Sequence, residues 1–119
     1  MTFVQRYAPH LLYILPALAF AAAGAGKLAG VPDLHASFAQ MGLPVAFGYF
    51  IGLAEVAGAA GLLWSRTRVL AAAGLIVIML GAIYYHVAYG VPSPIPAIIL
   101  LGLLAGTIFV YRPDRGLAA

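Results

Sequence analysis

The chain has 119 residues, 65% hydrophobic and only 8% charged, with a formal net charge of +3. Soluble domains carry about 25% charged residues, and so short a chain has too little interior to hide this much apolar surface from water. The composition points to lipid as the solvent and to one membrane domain spanning 1–119. The chain has no cysteine, which excludes disulfides, thiol catalysis and Cys-ligated zinc or iron–sulfur clusters within it. Its few basic residues are not clustered with aromatics as on a nucleic-acid surface, so no nucleic-acid partner is expected.

A short head carries Arg6 and Pro9, and residues 7–26 then contain no Asp, Glu, Lys or Arg. About twenty such residues cross a hydrocarbon core of about 30 Å, which predicts a first span near 10–28. Pro16 should kink this span or set its first turn. The run Ala21-Ala-Ala-Gly24-Ala-Gly26 leaves room for a second backbone, and Lys27 closes the span. A cleaved signal peptide is the rival reading, with a basic head, an apolar core and an Ala-rich end. The apolar segment is long for that role and Lys27 follows it at once, so a retained span is expected.

Residues 29–43 are the most polar internal segment. Gly30-Val-Pro32-Asp33 reads as a turn and helix start, and Leu34, Phe38 and Met41 recur at helical spacing. A short amphipathic helix lying at the membrane surface is expected, ended by Gly42-Leu-Pro44. The second span follows over 44–64 and the loop 65–68 after it. Residues 69–111 again lack Asp, Glu, Lys and Arg. They read as two spans, 69–89 and 95–111, separated by Gly90-Val-Pro92-Ser-Pro94. The last span carries Gly102 and Gly106 at GxxxG spacing. No alternating segments of β-barrel type occur. The expected fold is an all-α, membrane-embedded four-helix bundle with an amphipathic interfacial helix between its first two spans.

Four spans place both termini on one side. That side holds Arg6, Arg66, Arg68, Arg112 and Arg115, against Lys27 alone on the other. The positive-inside rule then puts both termini in the cytoplasm. An integral protein of the bacterial cytoplasmic (inner) membrane is expected.

Glu55 is one of three acidic residues in the chain and lies in the middle of the second span. A carboxylate near the bilayer midplane is costly and almost always faces the bundle interior with a partner. On the second helix it shares a face with Gly52, Gly58 or Ala59, and Leu62. Lys27 lies on the inner stripe of the first helix with Tyr13, Ala17, Phe20 and Gly24. His86 lies on that of the third with Met79, Ala82 and Tyr89. At about 1.5 Å per residue, Glu55 sits about 16 Å below Pro44, whereas Lys27 and His86 lie within about 6 Å of their helix ends. The expectation is a polar pocket open to the non-cytoplasmic face. Glu55 forms its floor, with Lys27, His86 and Tyr85 or Tyr89 near its mouth as ligand-binding or proton-relay candidates. Gly24, Gly52, Gly58, Gly81, Gly102 and Gly106 are candidates for close helix packing. The alternatives are a snorkelling Lys27, a satisfied His86, belt tyrosines at 84, 85 and 89, and a purely structural Glu55. His10, His35 and His86 lack metal-ligand spacing, so no metal site is expected.

These features together resemble the DoxX-like family of small four-span membrane proteins. The matching segments are Ala25-Gly26-Lys27-Leu28, Phe38-Ala-Gln-Met-Gly42-Leu-Pro44, Gly52-Leu-Ala-Glu55-Val-Ala-Gly58 with Gly61-Leu-Leu63, and Met79-Leu-Gly81-Ala82 leading to His86. The resemblance covers about 10–110. It implies a link to quinone or thiol redox chemistry, the family being named for a subunit of a thiosulfate:quinone oxidoreductase. It also implies that Lys27, Glu55 and His86 match positions where the family places polar residues inside the bundle. Without cysteine, thiol chemistry would have to come from a partner. Two functions follow as expectations. One is a small-molecule-binding or redox-accessory module, with a quinone as the candidate ligand and a quinone-linked oxidoreductase as the candidate partner. The other is an interaction protein or chaperone-like subunit, docking membrane partners or forming a homo-oligomer through its glycine-rich faces. No nucleophile–base constellation or cofactor motif points to an autonomous enzyme.

Overall fold

The computed structural model describes residues 2–91 and 93–112, which form five α-helices and, among the described residues, no strand. They are α1 (Phe3–Leu28), α2 (Pro32–Gln40), α3 (Val45–Leu63), α4 (Arg68–Ala88) and α5 (Ile95–Tyr111). Three of them, α1, α3 and α4, are long and apolar enough to cross a membrane, and α5 is a shorter apolar helix of 17 residues.

Helix starts and stops follow from local chemistry. The first helix begins at Phe3, earlier than the expected residue 10. Thr2 and Gln5 form a reciprocal capping box that satisfies the first free amides, and the helix continues through Pro9 and Pro16. Pro16 lacks an N–H, which leaves the Leu12 carbonyl without its helical donor. Thr107 of α5 fills the gap: its hydroxyl is 2.8 Å from the Leu12 oxygen and 2.9 Å from that of Leu103.

Three helices end by one device. Gly30, Gly42 and Gly90 adopt φ of 81°, 77° and 64°, a region where a Cβ is penalised. The residue after each glycine donates its amide back to the helix: Val31 to Gly26, Leu43 to Phe38 and Val91 to His86. This is the Schellman arrangement, with an aliphatic residue after the glycine. In each case the sequence then supplies a proline, which cannot rejoin the helix.

The last turn of α3 ends differently. Thr67 Oγ1 donates to the Gly61 carbonyl at 2.8 Å, and Arg68 donates from Nε to Leu62 at 2.7 Å and from Nη2 to Leu63 at 3.4 Å. Side chains of the next segment thus cap carbonyls that a helix end leaves free.

The four long helices close a ring in which α1 packs on α3 and α5, and α4 packs on α3 and α5. Buried positions recur at helical spacing: Tyr13, Pro16, Ala17, Phe20 and Gly24 on α1; Gly48, Gly52, Glu55, Ala59 and Leu62 on α3; Arg68, Ala72, Leu75 and Met79 on α4. Outward residues such as Leu18, Phe50, Leu53, Leu70, Val77 and Val87 are more than half exposed. A stripe this apolar facing outward is what lipid solvation requires. The fold is a membrane helical bundle.

Glycines set how closely α1 and α3 approach. A Cβ at Gly24 would lie 2.6 Å from the Gly52 carbonyl oxygen and 2.9 Å from the Val56 amide nitrogen. One at Gly52 would lie 2.7 Å from the Lys27 Cβ. Gly58 receives Leu75 of α4, and Gly106 rests against Leu12 of α1. The expectation fails for Gly81 and Gly102, where an added Cβ would meet nothing within 4 Å among the described residues. Small residues are spaced alike whether they face a neighbouring helix or lipid, so the pattern alone did not separate the two groups.

Candidate functional site

The Gly24–Gly52 crossing decides where Lys27 goes. Its Cβ sits directly over Gly52, one helical turn from Glu55. Side chains lean toward the N-terminus of their own helix, and α1 runs antiparallel to α3. The Lys27 stem therefore points along α3 toward Glu55, and Nζ lies 2.8 Å from Glu55 Oε1. The Lys27 side chain is 12% exposed and that of Glu55 3%.

The expected depth difference between Lys27 and Glu55 is corrected here. Counting from helix ends assumed that all ends share one plane. Instead α1 stops beside Gly52, about 10 Å along α3 from its start at the helical rise per residue. The missing height is occupied by α2, which packs on α1 and α3. His35 fixes α2 there: its Nε2 donates to the Lys27 carbonyl at 2.8 Å, and its ring lies 4.6 Å from that of Tyr49. Gly48 leaves room for the His35 ring.

Beside the ion pair lies a cavity of about 670 Å³, within the range of small-molecule sites. Lys27 and Glu55 line it at one end, Ser37, Phe38 and Met41 on the α2 side, Ile51 on α3, and Ile78, Ala82, Tyr85 and His86 on α4. Helices α3 and α4 meet where Gly58 receives Leu75 and Gly61 receives Ala71. From there toward α2 the cavity separates them. Its outer lining includes Phe47, Val77 and Tyr84, all exposed on the lipid-facing surface, and the open Gly81. The cavity lies between α3 and α4, and its lining also takes in the exposed Asp33 and Ala36 of α2.

Four of the five candidate site residues line this cavity: Glu55, Lys27, His86 and Tyr85. The geometry makes Lys27 and Glu55 one unit. His86 does not join them; its Nδ1 donates to the Ala82 carbonyl at 2.8 Å on its own helix. Tyr85 donates to the Gln40 side-chain oxygen, tying α4 to α2. Tyr89 lies outside the lining, stacked on Tyr85 at 5.3 Å and 41% exposed. As the residue after the last turn of α4, it has left the inner stripe.

A second polar cluster was missed in the sequence. Arg68 reads there as a loop charge, yet it is 8% exposed. Its guanidinium carbon lies 3.7 Å from the Tyr13 ring centroid and 5.0 Å from that of Tyr111. Tyr13 in turn shares a 2.7 Å hydrogen bond with His10. The available signal was an arginine one residue into a helix, level with two span-end tyrosines. Replacing Arg68 with Leu orphans two carbonyls and removes the ring contacts, for an expected loss of about 2–4 kcal/mol. Arg68→Lys should recover less than half, because an ammonium lacks the planar fork. Reversible unfolding in detergent checks both.

A family model described as the DoxX-like family matches residues 11–108. The chain belongs to the DoxX-like family. Comparison with curated proteins and with solved structures returned no match. The match takes in Lys27, Glu55 and His86, and with them most of the cavity of this DoxX-like protein.

Proposed function

We propose that this DoxX-like protein binds an amphipathic small molecule taken from the bilayer, as an accessory module with no autonomous chemistry. The observation that carries this reading is the buried Lys27–Glu55 pair in the lining of a cavity between α3 and α4. A charged pair retained inside an apolar bundle is costly unless it is used. The cavity walls suit an apolar tail and its inner end suits a polar head. A quinone serving a redox partner is one ligand of this kind. The first half of α1 and the end of α5 meet where the Tyr13 and Tyr111 rings are 5.5 Å apart. The arginine excess at that end favours a cytoplasmic placement.

The test is thermal unfolding in detergent with a panel of prenylquinones, long-chain alcohols and lipids. A binder at one hundred times its Kd adds about 2.7 kcal/mol. Gly81→Phe should abolish the shift, since it plugs the opening from a position with free space around it. No shift with any amphiphile, or an undiminished shift in the variant, would overturn the reading.

A second reading rests on Gly74 and Gly102. Both are exposed and meet nothing within 4 Å, which leaves room for a span from another chain. Under that reading Gly102→Leu dissociates a complex and leaves the monomer's fold intact.

A further inference from the structure

Resting on the ligand-binding reading above, we infer that the ligand is a long-chain aldehyde and that Lys27 captures it reversibly as an imine, with Glu55 as base and counter-ion. Lys27 is the one lysine of the chain. It lines the cavity, and its side chain is 12% exposed against 3% for Glu55. Glu55 Oε1 is enclosed and lies 2.8 Å from Nζ, so this oxygen serves the lysine and meets no ligand. Of the pair, Lys27 is the member open to a guest. The other titratable groups of the lining are engaged or peripheral. Tyr85 is tied to Gln40 and His86 to Ala82, while Asp33 is exposed on α2.

A lysine nitrogen engages a guest as a cation or as a nucleophile. The first role is weak here, because Glu55 already neutralises the ammonium and an anionic head would bring a second negative charge beside that carboxylate. The second role needs a base that takes a proton from Nζ and surroundings that favour the neutral amine. A carboxylate in contact and an apolar enclosure are those conditions. Amine and aldehyde then condense. Nζ bonds to the carbonyl carbon, the carbon–oxygen bond breaks, and the product is a protonated imine. Of the three ammonium hydrogens, one stays on nitrogen and two leave with the oxygen as water. Glu55 holds one of those two during the attack and ends as the carboxylate beside the iminium cation, the place of a ligand counter-ion. No oxidant or reductant is consumed. Because water is released, a cavity walled by Phe38, Phe47, Ile51 and Ile78 favours the imine. The same walls take the alkyl tail.

The experiment uses the full chain in detergent micelles, with dodecanal as the probe and cyanoborohydride to trap the imine. Peptide mass spectrometry reads the adduct sites. Arg66→Lys supplies an exposed reference lysine in the same chain and keeps the charge of that loop residue. At pH 7 Lys27 should carry at least about tenfold more adduct than the lysine placed at position 66, a small part of what holding two reactants in contact can supply. Glu55→Gln should cut the Lys27 adduct by a similar factor and leave the reference unchanged. Equal labelling of the two sites, or full Lys27 labelling in Glu55→Gln, would overturn the inference. So would thermal stabilisation by dodecanal with no Lys27 adduct, a result that leaves the amphiphile reading standing. Neither adduct nor stabilisation, with dodecanal or with the amphiphile panel, would remove both. If Glu55→Gln does not fold, the comparison of the two lysines within one folded chain still decides.

Discussion

Lys27→Met should destabilise the bundle by about 3–5 kcal/mol, and adding Glu55→Leu should restore most of that loss. The single change leaves a carboxylate that is 2% exposed with no cation beside it. The ion pair is its one polar contact among the described residues. The double change replaces two charges by apolar groups of similar length, which is often neutral or stabilising in an interior. Glu55→Leu alone should cost less than Lys27→Met. Lys27 lies in the last turn of α1 near its carbonyl ends, and its long stem can carry the ammonium toward water. The measurement is a double-mutant cycle by reversible unfolding in detergent. Additive losses would mean that the two residues do not act as a unit.

Gly24→Ala should destabilise by about 2–3 kcal/mol or more, the scale of overpacking in a core, while the same change at Gly102 should stabilise by up to about 1 kcal/mol. Both sites are helical, so alanine gains the same backbone propensity at each. At Gly24 the new methyl meets backbone atoms of Gly52 and Val56 at 2.6 and 2.9 Å, which cannot swing aside. At Gly102 it meets open space. The opposite signs, read as shifts in unfolding midpoint, test the α1–α3 contact directly. Equal effects at the two positions would contradict it. A milder loss is expected at Thr107: Thr107→Val removes the hydroxyl donor to the Leu12 carbonyl beneath Pro16, worth about 1–2 kcal/mol by the same unfolding measurement.

Helix count among the described residues, helix boundaries after the first helix and the inward face of Glu55 were legible because each rests on a strong local signal. Charge-free runs mark the spans, a Gly-aliphatic-Pro triplet marks each of three stops, and helical periodicity sets the faces. The start of α1 lies ahead of the expected span because the Thr2–Gln5 capping box, which the apolar run does not mark, begins the helix at Phe3. The level of Lys27 was not legible, since it depends on where α1 stops relative to α3, a tertiary fact fixed by two glycines meeting. Arg68 was hidden by its position beside a loop. Its burial requires Tyr13 and Tyr111, far away in the chain, to arrive at the same level. Glu55 and Lys27 were legible as candidates beside a pocket, but the α2, α3 and α4 residues that wall the cavity were not, because that depends on how the helices pack.

The Thr107–Leu12 bond joins residues 95 positions apart, and the Tyr13–Tyr111 contact closes the same seam. During synthesis the first three long helices can pair as they emerge, but this seam waits for the final segment to leave the ribosome. Until then the Leu12 carbonyl below Pro16 is unanswered and Arg68 has half of its aromatic enclosure. A chain halted before its last span should therefore stay open on that flank, exposed to quality-control proteases that recognise unsatisfied polar groups within lipid.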